Sequence, residues 1–138
     1  MEHRRVDKYL WDYKSNVAAI DYLRQEMSNL MSVHGQSYEP QQGTMGISEP
    51  VANVVQRKME LERKIQHLES HVQPVARLYD ELSVTDLAEA QMREILKLRF
   101  FNHESRNIVI RKMSISAATY VRRCKTLKRR AMAYFGEQ

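Results

Sequence analysis

The chain is short of the residues that break or staple a fold. Its 138 residues include one cysteine, three prolines and four glycines. A lone thiol, Cys124, excludes a disulfide within the chain and fits a reducing compartment. Few breakers and short β-branched runs leave helix formers to dominate, which predicts a mostly helical protein. No apolar run approaches the roughly 18 residues that span a bilayer. The stretch from Met1 to Asp7 lacks the apolar core of a signal peptide, so the expected location is the cytoplasm. Also missing are a glycine-rich phosphate loop and a recognisable setting for a Ser/His/Asp arrangement, so no catalysis is expected. The most telling absence is local. From Ser105 to Ala133 there is no Asp or Glu, while nine Lys/Arg are present.

The charge is uneven along the chain. Residues 1–82 carry ten Lys/Arg and twelve Asp/Glu, a net of −2, whereas residues 83–138 carry twelve and five, a net of +7. Such asymmetry suggests two jobs, with the basic part facing nucleic acid.

Periodicity gives the organisation. Val6, Leu10, Tyr13, Val17, Ile20, Leu23, Met27 and Leu30 recur at steps of three and four, predicting one amphipathic helix from Arg4 to Val33. Residues 34–48 hold three of the four glycines and one proline, the composition of a long mobile loop. Ser48 is a suitable N-cap, with Glu49 and Pro50 in the favoured first-turn positions. A heptad-like seam then follows: Val51, Val54, Lys58, Leu61, Ile65, Leu68, Val72, Val75, Tyr79 and Leu82. Pro74 inside it predicts a kink or a short break. Residues 1–82 therefore read as a coiled-coil-like antiparallel hairpin that could also pair two copies of the chain.

The third segment reads as a helix from Leu87 to Phe101, capped by Ser83 or Thr85 and ended by Asn102-His103-Glu104. Ser105 caps a short helix from Arg106 to Met113. Ser114-Ile115-Ser116 makes a turn with Ile115 inward, and Ser116 caps a final helix to about Phe135, with Gly136 as a stop. The fold class expected is all-α: a helical hairpin over 1–82, then a trihelical helix-turn-helix over 83–138.

Duplex DNA is a line of negative charge, and a basic helix fits its major groove. On the last helix Tyr120, Cys124, Leu127 and Ala131 share the core-facing side. Ala117, Ala118, Val121, Arg122, Lys125, Lys128 and Arg129 are left outward, with Ser116 and Thr119 at the start of the helix. Arg122 and Lys125 suit guanine edges, and Ala118 and Val121 suit a thymine methyl. Arg106, Arg111, Lys112, Arg123, Lys128, Arg129 and Arg130 suit phosphates. The leading expectation is a double-stranded-DNA-binding, sequence-specific regulator, nucleoid-associated and dimeric. The alternative is a DNA-packaging assembly protein of the terminase-small-subunit kind.

The run Met92-Arg93-Glu94-Ile95-Leu96-Lys97-Leu98-Arg99-Phe100-Phe101, then Ser105 through Ser116, then Thr119-Tyr120-Val121-Arg122-Arg123, resembles region 4 of bacterial sigma factors. More narrowly it resembles phage late-gene transcriptional regulators of the RinA and ArpU types, as does the Ser48-Glu49-Pro50-Val51 start. The resemblance implies an activator of phage or prophage late transcription that acts with the host RNA polymerase. Two positions depart from that pattern: Ile110 stands where a small Ala is usual, and Ser114 where Gly is usual. Both would widen the helix crossing.

Other signals carry less. His67 and His71 are four apart, a spacing that can clip a metal, but Glu69 is out of place for a His-Glu-x-x-His motif and no third ligand is evident. Cys124 falls on the core stripe and reads as a buried thiol. Trp11 with Tyr9, Tyr13 and Tyr22 reads as packing. Neither a metal nor a cofactor is expected.

Overall fold

The computed structural model describes residues 3–36 and 48–136. Every element among them is helical, and the protein is all-α. The order is α1 (His3–Trp11), α2 (Tyr13–Gln36), α3 (Ser48–Glu81), α4 (Leu87–Ile95), a π-helical turn (Leu96–Phe101), α5 (Arg106–Met113) and α6 (Ala117–Gly136).

The first apolar stripe forms as the spacing requires, with Val6, Leu10 and Ile20 buried and the others half-buried. It is carried by two elements, α1 and α2, in place of the one helix expected. Asp12 separates them, although the hydrogen-bond ladder runs on: Asp12 N–H donates to Lys8 O, and Asn16 N–H to Asp12 O, both at 2.8 Å. At this point the Trp11 carbonyl takes a side-chain partner, His103 Nε2, at 2.8 Å. A carbonyl can only accept, so that ring nitrogen carries the proton. α2 continues to Gln36, three residues beyond the expected end at Val33. The rest of the expected loop, residues 37–47, lies outside the described residues, as does the Ser48 side chain proposed as a cap.

α3 runs through Pro74 without the interruption that a proline inside a helix suggests. Pro74 is itself buried. The seam is real at its centre, where Leu61 is 0% and Ile65 is 7% exposed. Leu78, which the heptad spacing skipped, is buried as well.

The chain divides into two compact units. One comprises Val17–Glu69; the other joins Met1–Asn16 to Ser70–Gln138. This differs from a division at residue 82. The physical reason lies in the core of the second unit. Val6 and Leu10 of α1, Val75 and Leu78 of α3, and Leu82 just beyond its end belong to the same apolar cluster as Met92, Ile95, Leu96, Val109, Leu127 and Ala131. Aromatic contacts reinforce it: Tyr9 stacks on Phe135 at 4.7 Å between centroids, and Tyr13 on Phe101 at 4.5 Å. In the Val17–Glu69 unit, ion pairs Arg24–Glu69 and Arg57–Glu26 cross from α2 to α3. Exposed pairs of this kind contribute little, about 0–1 kcal/mol. Burial of Ile20, Leu61 and Ile65 stabilises this unit more.

The entry to α4 differs in detail from the expectation. Asp86 is the N-cap, its Oδ1 accepting from Ala88 N–H at 3.1 Å. Ser83 Oγ instead closes the preceding turn, accepting from Thr85 N–H and Asp86 N–H at 3.1 Å each. At the end of the same helix the turn widens into π geometry. Asn102 N–H reaches back five residues to Lys97 O, at 3.0 Å. Leu96, Phe100 and Phe101 are all buried there.

Candidate nucleic-acid interface

The α5–α6 connection is built from its serines. Ser105 Oγ accepts from Ile108 N–H at 3.4 Å and starts α5, while Ser116 Oγ accepts from Thr119 N–H at 3.0 Å and starts α6. Between them Ser114 adopts the left-handed conformation, φ 55° and ψ 45°. Its N–H donates to Arg111 O at 3.2 Å, and Ile115 N–H donates to Ile110 O at 3.4 Å. That pair of bonds is a Schellman motif, in which the left-handed slot usually belongs to glycine. Ile110 and Ile115, the two residues such a motif brings together, both pack against the core. The turn therefore closes with Ser114 in glycine's place.

The faces of α6 follow from its spacing. Tyr120, Leu127, Ala131 and Phe135 are buried, and Cys124 is half-buried against the same cluster. Ala117, Ala118, Val121, Arg122, Lys125 and Arg129 are exposed. The core stripe and the rest of the outward face read from the sequence are thus where they were expected, but Lys128, also expected outward, is half-buried, and Cys124 is less enclosed than its neighbours. Burial raises the Cys124 thiol above its ordinary value. The Tyr120 hydroxyl, desolvated and beside Cys124, is pushed up to about 12.

Ala117, Ala118 and Val121 are exposed, and the polar residues among the expected DNA contacts separate into two groups. Arg111, Arg122, Lys125 and Arg129 are exposed, and their side chains have no hydrogen-bond or ion-pair partner among the described residues. The others already hold partners. Lys112 pairs with Glu104 at 2.5 Å, Lys128 with Asp7 at 3.0 Å, and Arg130 with Glu89 at 3.1 Å. Arg123 Nε donates to Gln91 Oε1 at 2.8 Å. The Arg106 guanidinium lies 5.6 Å from the centre of the Tyr120 ring. Ser116 and Thr119 bond each other through their hydroxyls at 2.9 Å, so both are occupied in starting the helix. The acid-free run is acid-free only in sequence: Asp7, Glu89 and Glu104 are folded onto its flanks.

Beside this face stands a constellation that periodicity did not show. The Trp11 and His103 rings stack at 3.9 Å with planes 10° apart, and the Arg99 guanidinium lies 4.9 Å from the indole centre. His103 has a left-handed φ of 57°, a conformation histidine tolerates better than most residues. Arg99 Nη1 donates to Glu104 O at 2.9 Å and ties the π turn to the start of α5. The contact between Trp11 and His103 spans 92 residues, which is why no local pattern announces it.

No group of three or more His, Cys, Asp or Glu capable of holding a metal occurs among the described residues. No helix of the described residues is long and apolar enough to cross a membrane. No protein-family model matches the chain, and neither a curated protein nor a solved structure matches it.

Proposed function

We propose that the chain is a sequence-specific DNA-binding regulator of transcription, with α5 and α6 as its helix-turn-helix and α6 as the helix that enters the major groove. The observation that carries this reading is the outward face of α6. Ala118, Arg122, Lys125 and Arg129 form an exposed strip in which the three cations have no partner among the described residues. Solvated helices normally interleave charge signs, whereas this strip presents one sign together with small residues that let a helix approach base edges. Arg122 and Lys125 are the base readers, and Arg111 and Arg129 hold phosphates. Lys112, Lys128 and Arg130 sit in exposed or half-exposed ion pairs, each worth about 0–1 kcal/mol, so a phosphate can displace the carboxylate at little expense.

One reader of this size covers only a few base pairs, which is thin specificity against a genome of competing sites. The regulator therefore acts as a homodimer or alongside RNA polymerase, as the sigma-like pattern suggests. The test is selection of bound duplexes from a randomised library by the full chain, followed by footprinting. A recurrent motif that loses enrichment in Arg122→Ala supports the reading. Failure to enrich any motif over several rounds refutes it.

A further inference from the structure

We infer that a hollow between α1 and α6 is a phosphate-binding surface, and that its occupant is the sugar–phosphate backbone of the duplex whose major groove holds α6. The inference rests on the proposed function and extends the interface to α1, where nothing in the charge pattern had placed it. The hollow encloses about 650 Å³. Its cations come from four elements: Lys8 from α1, Arg99 from the π turn, Arg106 from α5, and Lys125 and Lys128 from α6. Among the described residues that line it, Asp7 is the one carboxylate that opposes these five charges.

The chemistry points to phosphate. Arg99 and Arg106 rest against the Trp11 and Tyr120 rings, at 4.9 and 5.6 Å, which orients each guanidinium fork without neutralising it. The Arg106 fork held this way matches two phosphate oxygens, whereas Arg99, whose Nη1 donates to Glu104 O, offers its remaining N–H groups. Base recognition is disfavoured, because the Trp11 ring is already stacked on His103. Position favours a duplex over a free phosphate ester. Val121 and Lys125 line the hollow and also belong to the outward face of α6, so a strand flanking the groove would run from one into the other. Asp7 tempers the site by holding Lys128 at 3.0 Å and by repelling an incoming anion.

Two variants of the full chain test this in opposite directions, read by fluorescence anisotropy on a labelled mixed-sequence duplex across a salt series. Lys8→Glu should weaken binding about three- to tenfold and flatten the slope of log K against log salt by about one. Asp7→Asn should tighten binding about twofold or more, since it removes the opposing charge and frees Lys128. Thermal melts of both should stay close to the parent's, because Lys8 is exposed and the Asp7 and Lys128 side chains keep 45% and 30% of their surface, although the paired Asp7 Oδ1 is itself buried. If neither variant changes duplex binding while Arg122→Ala weakens it, the hollow is not a phosphate site and the reading of α6 stands. If the parent chain binds no duplex, yet inorganic pyrophosphate shifts the amide resonances of Lys8 and Lys125, the occupant is a free phosphate ester. The duplex assignment and the proposed function then fall together.

Discussion

Leu127 and Arg122 lie on one helix, five residues and so about 140° apart, and they should fail in opposite ways when truncated. Leu127 is 0% exposed and sits in the cluster that joins α1, α3, α4, α5 and α6. Leu127→Ala removes the transfer energy of the lost methyl groups and leaves a cavity that close-packed neighbours fill only in part, a loss of about 3–5 kcal/mol. Against the roughly 5–15 kcal/mol that holds a typical domain together, that is a large share. Arg122 is exposed and has no side-chain partner among the described residues, so Arg122→Ala should change stability by no more than about 0.5 kcal/mol. On a selected operator, however, it should forfeit about 1–3 kcal/mol, the worth of one well-placed base contact. Urea unfolding followed by circular dichroism gives the first quantity, and anisotropy well below the unfolding transition gives the second. Folded Leu127→Ala should bind almost as the parent does. The assignment of faces is wrong if Leu127→Ala costs less than about 1 kcal/mol. It is equally wrong if Arg122→Ala leaves the ratio of specific to non-specific affinity unchanged.

Three further outcomes are expected. In the Val17–Glu69 unit, Leu61→Ala should cost about 2–5 kcal/mol, and clearly more than Leu68→Ala, because Leu61 is fully buried and Leu68 half-buried; equal urea midpoints for the two would contradict this. Ser114→Gly should be neutral or stabilising by up to about 1 kcal/mol, since relief of a left-handed residue (about 1–2 kcal/mol) offsets the added chain entropy of glycine. Ser114→Val should instead lower the melting temperature, and a Ser114→Gly variant less stable than the parent would show that the hydroxyl matters more than the backbone. Stability should be level through neutral pH and decline in alkali. Folding raises the Cys124 thiol above 9.0 and the Tyr120 hydroxyl from 10.0 to about 12, so the unfolded chain sheds these protons first. Urea midpoints should therefore fall above about pH 9, and less steeply in Tyr120→Phe. A flat profile up to about pH 11 would contradict the burial of both groups.

What local chemistry specifies was legible in the sequence. The caps Ser105 and Ser116, the outward strip of α6 and the buried Leu61 and Ile65 all depend on residues within a few positions of one another. The Asp86 cap was misplaced because Ser83, Thr85 and Asp86 are all competent acceptors, and spacing alone does not say which closes the turn and which starts the helix. The π turn was invisible for a related reason: Leu96–Phe101 suits an ordinary helix, and the widening shows only in the bonds that end it. Likewise, charge counting found nine cations but not the carboxylates that neutralise three of them, since Asp7, Glu89 and Glu104 lie outside the counted run.

The same limit explains the domain boundary. A cut at residue 82 follows the change in net charge, but charge reports on surfaces, whereas a compact unit is defined by what shares a core. Val6 and Leu10 continue the stripe of α2 in sequence, yet they are buried in the cluster with Ile95 and Leu127. Nothing in a three/four repeat says which partner an apolar face will meet. The consequence bears on function, because α1 brings more than apolar surface to α6. It carries Lys8, the carboxylate that holds Lys128, and the Trp11 carbonyl and ring that anchor His103. A fragment of residues 83–138 would keep every cation of the outward face and lose Val6, Leu10, Val75, Leu78 and Leu82 from beneath it. Weak DNA binding by such a fragment would therefore reflect a reader deprived of its support as readily as one deprived of a second copy. Substitutions on the faces of α1 and α6 within the full chain separate those causes, because they leave the apolar core in place.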